Sequence, residues 1–260
     1  MKNACFDTDL TDDQWHYLEP LMPKAAATGR PRTPLREVVD ALLYMAKAGC
    51  PWRLLPKSFP PSNTVFHIFR QWIKSGFLGS LHDRLRAFAR QLVGKRCRPT
   101  AGVLDSQTVR SAAYAREVGY DAGKKTKGRK RFLLVDTVGY IIGIFVCPAN
   151  VTERDGAKSL LSEVLRQQTW LQTIWVDGGY SGEAFAKWVM AQKPGLKIEV
   201  VKRSDDITGF KVLPKRWIVE RTFGWFMHHR RLVRDYERTS TSVIGWTHWA
   251  MIRIMLRRLA

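Results

Sequence analysis

The chain has 260 residues, 45% of them apolar, which is enough for a sizeable core in one large domain or two modest ones and excludes a disordered tail. Its 43 lysines and arginines against 23 acids give a net charge of +20, which points to nucleic acid ahead of an anionic membrane surface. Cys5, Cys50, Cys97 and Cys147 are too far apart for a zinc motif or a compact disulfide framework. No apolar run approaches the ~20 residues of a membrane span, and the start lacks a signal-peptide core, so the expectation is a soluble cytoplasmic protein.

The first third reads as helical. Thr11 with Gln14 three residues on is a capping-box pattern opening a helix toward Leu21. From Leu35 the residues Val38, Val39, Leu42, Leu43, Met45 and Ala46 keep helical spacing until Gly49-Cys50-Pro51. After a turn region at 52–61, Ser62-Asn63 can cap a further helix with Val65, Phe66, Phe69, Trp72 and Ile73 inside. Asn63, Thr64, His67, Arg70 and Gln71 then face outward, as in the second helix of a helix-turn-helix reader. The linker 49–61 is longer than the usual turn of that motif, so a plain helical bundle is the alternative. Arg30 and Arg32, in a Pro-rich stretch, fit either a minor-groove arm or a solvated linker.

From about residue 100 the pattern changes. Strands are expected at 102–109, 131–136, 140–147, 173–176 and 196–202, and helices at 153–171, 182–191 and 216–231. The strands at 131–136 and 140–147 are apolar at nearly every position, which implies a sheet covered on both faces. The charge is spread over both parts: residues 1–95 hold 14 basic and 8 acidic residues, residues 96–260 hold 29 and 15.

Three carboxylates stand out. Val103-Leu104-Asp105 and Ile174-Trp175-Val176-Asp177 each end an apolar run with an acid, and Glu220 lies in a helix so apolar that it should be largely buried. Burying an unpaired carboxylate is costly, so acids converging on a basic chain suggest a divalent-cation site working on a polyanion. Asp136 has the same apolar-run-then-acid shape but precedes a hairpin turn, where Asp commonly bonds backbone N–H groups, and it is assigned to structure. Arg216, four residues before Glu220, can pair with that acid or with a phosphate. Lys124, Lys125, Lys127, Arg129, Lys130 and Arg131 crowd a Gly-punctuated stretch before the hairpin and are expected to contact the DNA backbone.

The segments Val103-Leu104-Asp105-Ser106-Gln107, Gly119-Tyr120-Asp121-Ala122-Gly123-Lys124-Lys125, Lys127-Gly128-Arg129-Lys130-Arg131, Trp175-Val176-Asp177-Gly178-Gly179-Tyr180 and Val219-Glu220-Arg221-Thr222-Phe223-Gly224-Trp225 closely resemble insertion-sequence transposases of the IS5 group within the IS4-like DDE class. The likeness runs over nearly the whole chain. It implies an α/β fold: a helical, helix-turn-helix-like DNA-binding region at 1–97, then a ribonuclease H-like mixed-sheet catalytic domain at 98–260.

It also implies that Asp105 bridges two Mg²⁺ or Mn²⁺ ions, roughly 3.5 to 4 Å apart, with Asp177 and Glu220 each completing one side. Water would cut the DNA first, and the freed 3′-hydroxyl would then attack target DNA. The partners implied are the terminal inverted repeats, the target DNA and a second copy of the chain on DNA, with no membrane, in a bacterial nucleoid. The tyrosine and lysine of the wider class signature are replaced by Leu213 and Met227, so a lysine phosphate contact does not transfer, and Arg230 or Arg231 would substitute. Only 42 residues separate Asp177 from Glu220, which leaves little room for an insertion domain. The alternatives are a non-catalytic DNA-binding regulator and a stand-alone ribonuclease H-like nuclease or resolvase.

Overall fold

The computed structural model describes residues 6–24, 28, 31–201 and 215–260. Arg30 and Leu213 lie outside the described residues. Four helices come first: α1 (Asp12–Leu18), α2 (Leu35–Ala48), α3 (Ser62–Lys74) and α4 (Phe77–Leu92). Strands β1 (Ala101–Arg110), β2 (Gly119–Asp121), β3 (Thr126–Asp136) and β4 (Ile141–Pro148) follow. Then come α5 (Glu153–Gln167), β5 (Thr173–Val176), α6 (Glu183–Gln192), β6 (Lys197–Val200), α7 (Trp217–Met227), α8 (Arg230–Val233) and α9 (Ser240–Leu259).

These elements form two compact units, neither continuous in sequence. One comprises Met1–Lys95, Phe226–Val233 and Thr241–Ala260; the other comprises Arg96–Trp225 and Arg234–Ser240. The first crossing lies at 95/96, and two C-terminal segments, Phe226–Val233 and Thr241–Ala260, belong to the helical unit.

In the helical unit, α1 opens with the capping box: Gln14 N–H donates to the Thr11 hydroxyl (3.1 Å) and Thr11 N–H to the Gln14 side chain (3.3 Å). Gly49 ends α2 in the left-handed region, at φ 71°. The core is aromatic, with Phe69 stacked on Trp246 of α9 at 4.5 Å between ring centres and Trp72 beside Trp249 at 5.9 Å. The α3 start differs from expectation: Pro61 is the N-cap residue and no side chain caps the helix, so Ser62 sits inside its first turn. Helices α4 and α9 fall in stretches that carry no such expectation.

In the sheet unit, β1 pairs antiparallel with β3 and parallel with β5, β5 pairs parallel with β6, and β3 carries β4 and the short β2 along its other edge. A three-stranded antiparallel portion continued by parallel strands, with helices covering it, is the mixed sheet of a ribonuclease H-like domain. Leu104, Phe132, Leu134 and Ile174 of the sheet pack with Leu160, Leu161 and Val164 of α5 and Phe185 and Val189 of α6. Strand β3 is buried from Gly128 to Asp136, as the apolar run implies for a sheet covered on both faces.

β3 also begins five residues earlier than expected, because Arg129, Lys130 and Arg131 are internal rather than solvated. Gly128 is needed there, since a β-carbon would lie 2.0 Å from the Val109 carbonyl oxygen. The helix expected at 216–231 is two pieces, α7 and α8, broken at His228-His229, where His229 N–H turns back to the Phe226 carbonyl. Among the described residues, no helix is long and apolar enough to cross a membrane.

Candidate active site

Register brings the first two acids together. β1 and β5 run parallel with Val103 opposite Trp175. Asp105 lies two residues further along β1, and Asp177 stands just past the last residue of β5, near enough for its charge to act on Asp105. Asp105 takes the Ser106 N–H at 2.7 Å. Asp177 leaves the end of β5 and caps the short turn Gly178–Tyr180, taking the Gly179 N–H at 2.9 Å. Burial pushes the Asp105 carboxyl up to about 6; the charge of Asp177 adds to the rise, while the Ser106 N–H, Arg216 and Lys124 oppose it.

Helix α7 supplies the remaining groups and is fixed to the β3–β4 turn. Thr222 donates to the Gly139 carbonyl (2.8 Å), and Arg221, held between the rings of Trp217 and Trp225, donates to the Val138 carbonyl (2.7 Å). Gly139, at φ 96°, lets the helix approach, because a β-carbon there would lie 2.9 Å from Trp225. The buried face of α7 is Ile218, Val219, Thr222, Phe223 and Phe226. Contrary to the expectation of a largely buried acid, Glu220 lies on the other face with half its side chain exposed.

Arg216 joins the acids, donating to Glu220 at 2.6 Å and lying 3.7 Å from the Asp177 carboxylate. Among the described residues no set of three His, Cys, Asp or Glu side chains is gathered as a cation cage; the Arg216 guanidinium stands between Asp177 and Glu220. The donors offered by Asp105, Asp177 and Glu220 are all carboxylate oxygens, the type a hard divalent ion takes.

Asp136 is fully buried, and one of its oxygens takes the N–H groups of Val138 (2.8 Å) and Tyr140 (2.9 Å). Asparagine keeps an acceptor at that position, so Asp136→Asn is expected to fold and to leave any metal-dependent strand cleavage seen in a gel assay unchanged. Loss of cleavage in a folded variant would instead give Asp136 a part in the chemistry.

The basic stretch divides. Lys124, Lys125 and Lys127 are exposed, and Lys124 is near enough to act on Asp105. Arg129, Lys130 and Arg131 are buried, which corrects the expectation that they meet DNA. Arg129 donates to Asp235 (2.8 Å) and to the carbonyls of Arg116, Glu237 and Arg238; Lys130 to Glu153 (3.1 Å) and the Val151 carbonyl; Arg131 to Gln107 (2.8 Å). At 5% exposure or less, these side chains present no surface to a phosphate.

In the helical unit Asn63, His67, Arg70 and Gln71 are exposed along α3, Thr64 is half-buried, and Arg32 is exposed with a bond to the Pro23 carbonyl. Arg230 is exposed. Arg231 is buried over Trp246 at 4.3 Å and donates to the Cys50 carbonyl, so it too is a core strut and not a phosphate contact.

The sequence reading misses Ser106, Glu153 and Tyr180, which surround the acid pair. Ser106 donates to Glu153 at 2.6 Å and Tyr180 to the same oxygen at 3.1 Å. Their signal was adjacency, one residue after Asp105 and three after Asp177; Glu153 had none beyond opening a helix.

Comparison with known proteins bears on this site. Residues 96–255 match the family described as "Transposase DDE domain", and residues 10–82 match "Putative transposase of IS4/5 family". An uncharacterized protein of Sinorhizobium fredii, y4sN, is 36% identical over 83 residues, 32% of this chain and 64% of that relative's length. The DDE-domain match covers well over half of the chain, including Asp105, Asp177 and Glu220, and the chain belongs to the IS4-like DDE transposases.

Proposed function

We propose that this protein binds the terminal inverted repeats of its own insertion sequence, cuts the DNA there with divalent cations and joins the freed 3′ end to target DNA. The observation that carries this reading is the placement of Asp105 in β1 and Asp177 just past the end of the parallel neighbour β5, close enough for the charge of Asp177 to act on Asp105, with Arg216 reaching both Asp177 and Glu220 of α7. Asp105, Asp177 and Glu220 would hold two Mg²⁺ or Mn²⁺ ions. Bound there, such ions make water a competent nucleophile at neutral pH and stabilise the leaving oxygen.

Arg216, bonded to Glu220 and beside Asp177, would meet the scissile phosphate. Lys124, Lys125 and Lys127 contact the DNA backbone near the site, and α3, through Asn63, Thr64, His67, Arg70 and Gln71, reads the terminal repeat. Arg32 and Arg230 add phosphate contacts. The working form is a homodimer on DNA, because both element ends must be cut.

Cleavage of a labelled terminal-repeat duplex in Mn²⁺ and in EDTA tests the reading. Cuts at the element end that need the cation support it. Tight binding without cutting makes the protein a regulator, and cutting without later joining makes it a nuclease.

The raised Asp105 carboxyl adds a pH dependence. Its folded-state value, about 6, lies above its ordinary value of 3.8, so its contribution to stability is present below pH 3.8 and is lost as pH rises through about 6. Cation binding needs the ionised form and runs the opposite way. Calorimetric Mn²⁺ affinity is expected to rise up to about pH 6 and to flatten above about pH 7. A flat profile across that window would remove Asp105 from the cation site.

A further inference from the structure

We propose that Glu153 is a positioning residue for the active site: it ties the strand that carries Asp105 to the turn that carries Asp177. The inference rests on the cation-dependent reading above. One carboxylate oxygen of Glu153 takes both the Ser106 hydroxyl (2.6 Å) and the Tyr180 hydroxyl (3.1 Å). Ser106 follows Asp105 directly in β1, and Tyr180 closes the turn that Asp177 caps. The other oxygen takes the ammonium of Lys130 (3.1 Å), which reaches across from β3 and also donates to the Val151 carbonyl (3.0 Å).

Two strands, one helix and the turn after β5 thus meet at a single side chain. Tyr180 is 1% exposed, and its hydroxyl is held firmly protonated by burial and by the surrounding charges of Glu153, Asp105 and Asp177. It therefore has a proton to donate, and Glu153 accepts it. The Glu153 stem also lies against the turn itself, 3.8 Å from where a β-carbon on Gly179 would stand.

An acid at the first turn of a helix is ordinarily accounted for by the helix dipole and a nearby cation. That account explains Lys130 but not two hydroxyls drawn from the residues beside both site acids. Groups that orient cation ligands through hydrogen bonds set affinity without touching the ion, and losing one typically costs about 10- to 100-fold. Glu153 acts in that way on the spacing of Asp105 and Asp177.

The test uses the 260-residue chain with Tyr180→Phe, which deletes one hydroxyl from a retained ring, and Glu153→Gln, which keeps the shape and removes the charge. The Mn²⁺ midpoint for terminal-repeat cleavage and the Mn²⁺-induced rise in Tm, measured without DNA, are compared with wild type. The expected result is a midpoint raised about 10-fold or more in both variants, with a smaller cation-induced rise in Tm.

A plain helix-start role would lower the cation-free Tm of Glu153→Gln and leave both cation responses at wild-type values; that outcome overturns the proposal. If Glu153→Gln does not fold, Tyr180→Phe alone decides. If wild type itself shows no response to Mn²⁺ in either assay, the underlying reading falls and this one with it.

Discussion

Asp177→Ala is expected to abolish cation-dependent cleavage at the element end while leaving a folded protein that still binds the terminal repeat. The side chain caps the Gly178–Tyr180 turn and lies 3.7 Å from the Arg216 guanidinium, and loss of such a cap costs about 1 kcal/mol. Its proposed chemical duty is larger. Removing a cation ligand forfeits several kcal/mol of transition-state stabilisation, a rate loss of roughly a thousandfold or more. A gel assay in Mn²⁺, with circular dichroism melting and a binding assay on the same preparation, separates the two. Cleavage within about tenfold of wild type by a folded variant would remove Asp177 from the chemistry.

Arg129→Ala has the largest expected effect on stability. The guanidinium is 1% exposed and satisfies Asp235, itself 3% exposed, together with the carbonyls of Arg116, Glu237 and Arg238. Asp235 also takes the Ser111 hydroxyl (2.8 Å), so Arg129 is the clamp that fastens the 234–240 segment to the sheet unit. Truncation removes the bonded counter-charge of a buried carboxylate, a loss of about 3 to 5 kcal/mol. The melting temperature should fall by roughly 10 °C or more. Lys125→Ala, in the exposed part of the same basic stretch, should leave stability within about 0.5 kcal/mol of wild type and instead reduce the salt dependence of DNA binding by about one counterion. A wild-type melt for Arg129→Ala would contradict the buried clamp.

These two variants show where the sequence is readable. The pattern behind Asp105 and Asp177 is local, an apolar run ending in a lone acid, and the two runs become the neighbouring parallel strands β1 and β5. Asp136 is legible from the same pattern but as a structural acid, since a hairpin turn follows it. The boundary of β3 is not legible: a run of six basic residues reads as a solvated loop, and only the distant partners Asp235, Glu153 and Gln107 turn half of it into core.

Helix α4 hides for a related reason. Its buried side includes His82, Arg86 and Arg90, which break the apolar stripe that marks a helix. The C-terminal segments cannot be assigned to the helical unit from pattern alone, because that needs the Trp246 and Trp249 contacts with Phe69 and Trp72, which lie far earlier in the chain. Glu153 shows the same limit within the site, since what distinguishes it is which residues it meets.

Strand joining tests the central claim most directly. A terminal-repeat duplex already cut to expose its 3′-hydroxyl is incubated with the protein, Mn²⁺ and a supercoiled target plasmid. The expected product is plasmid covalently joined to the labelled 3′ end, formed by wild type, lost in EDTA and lost with Asp177→Ala. Binding and cleavage of the duplex with no joined product would contradict a transposase and leave a nuclease on the same fold.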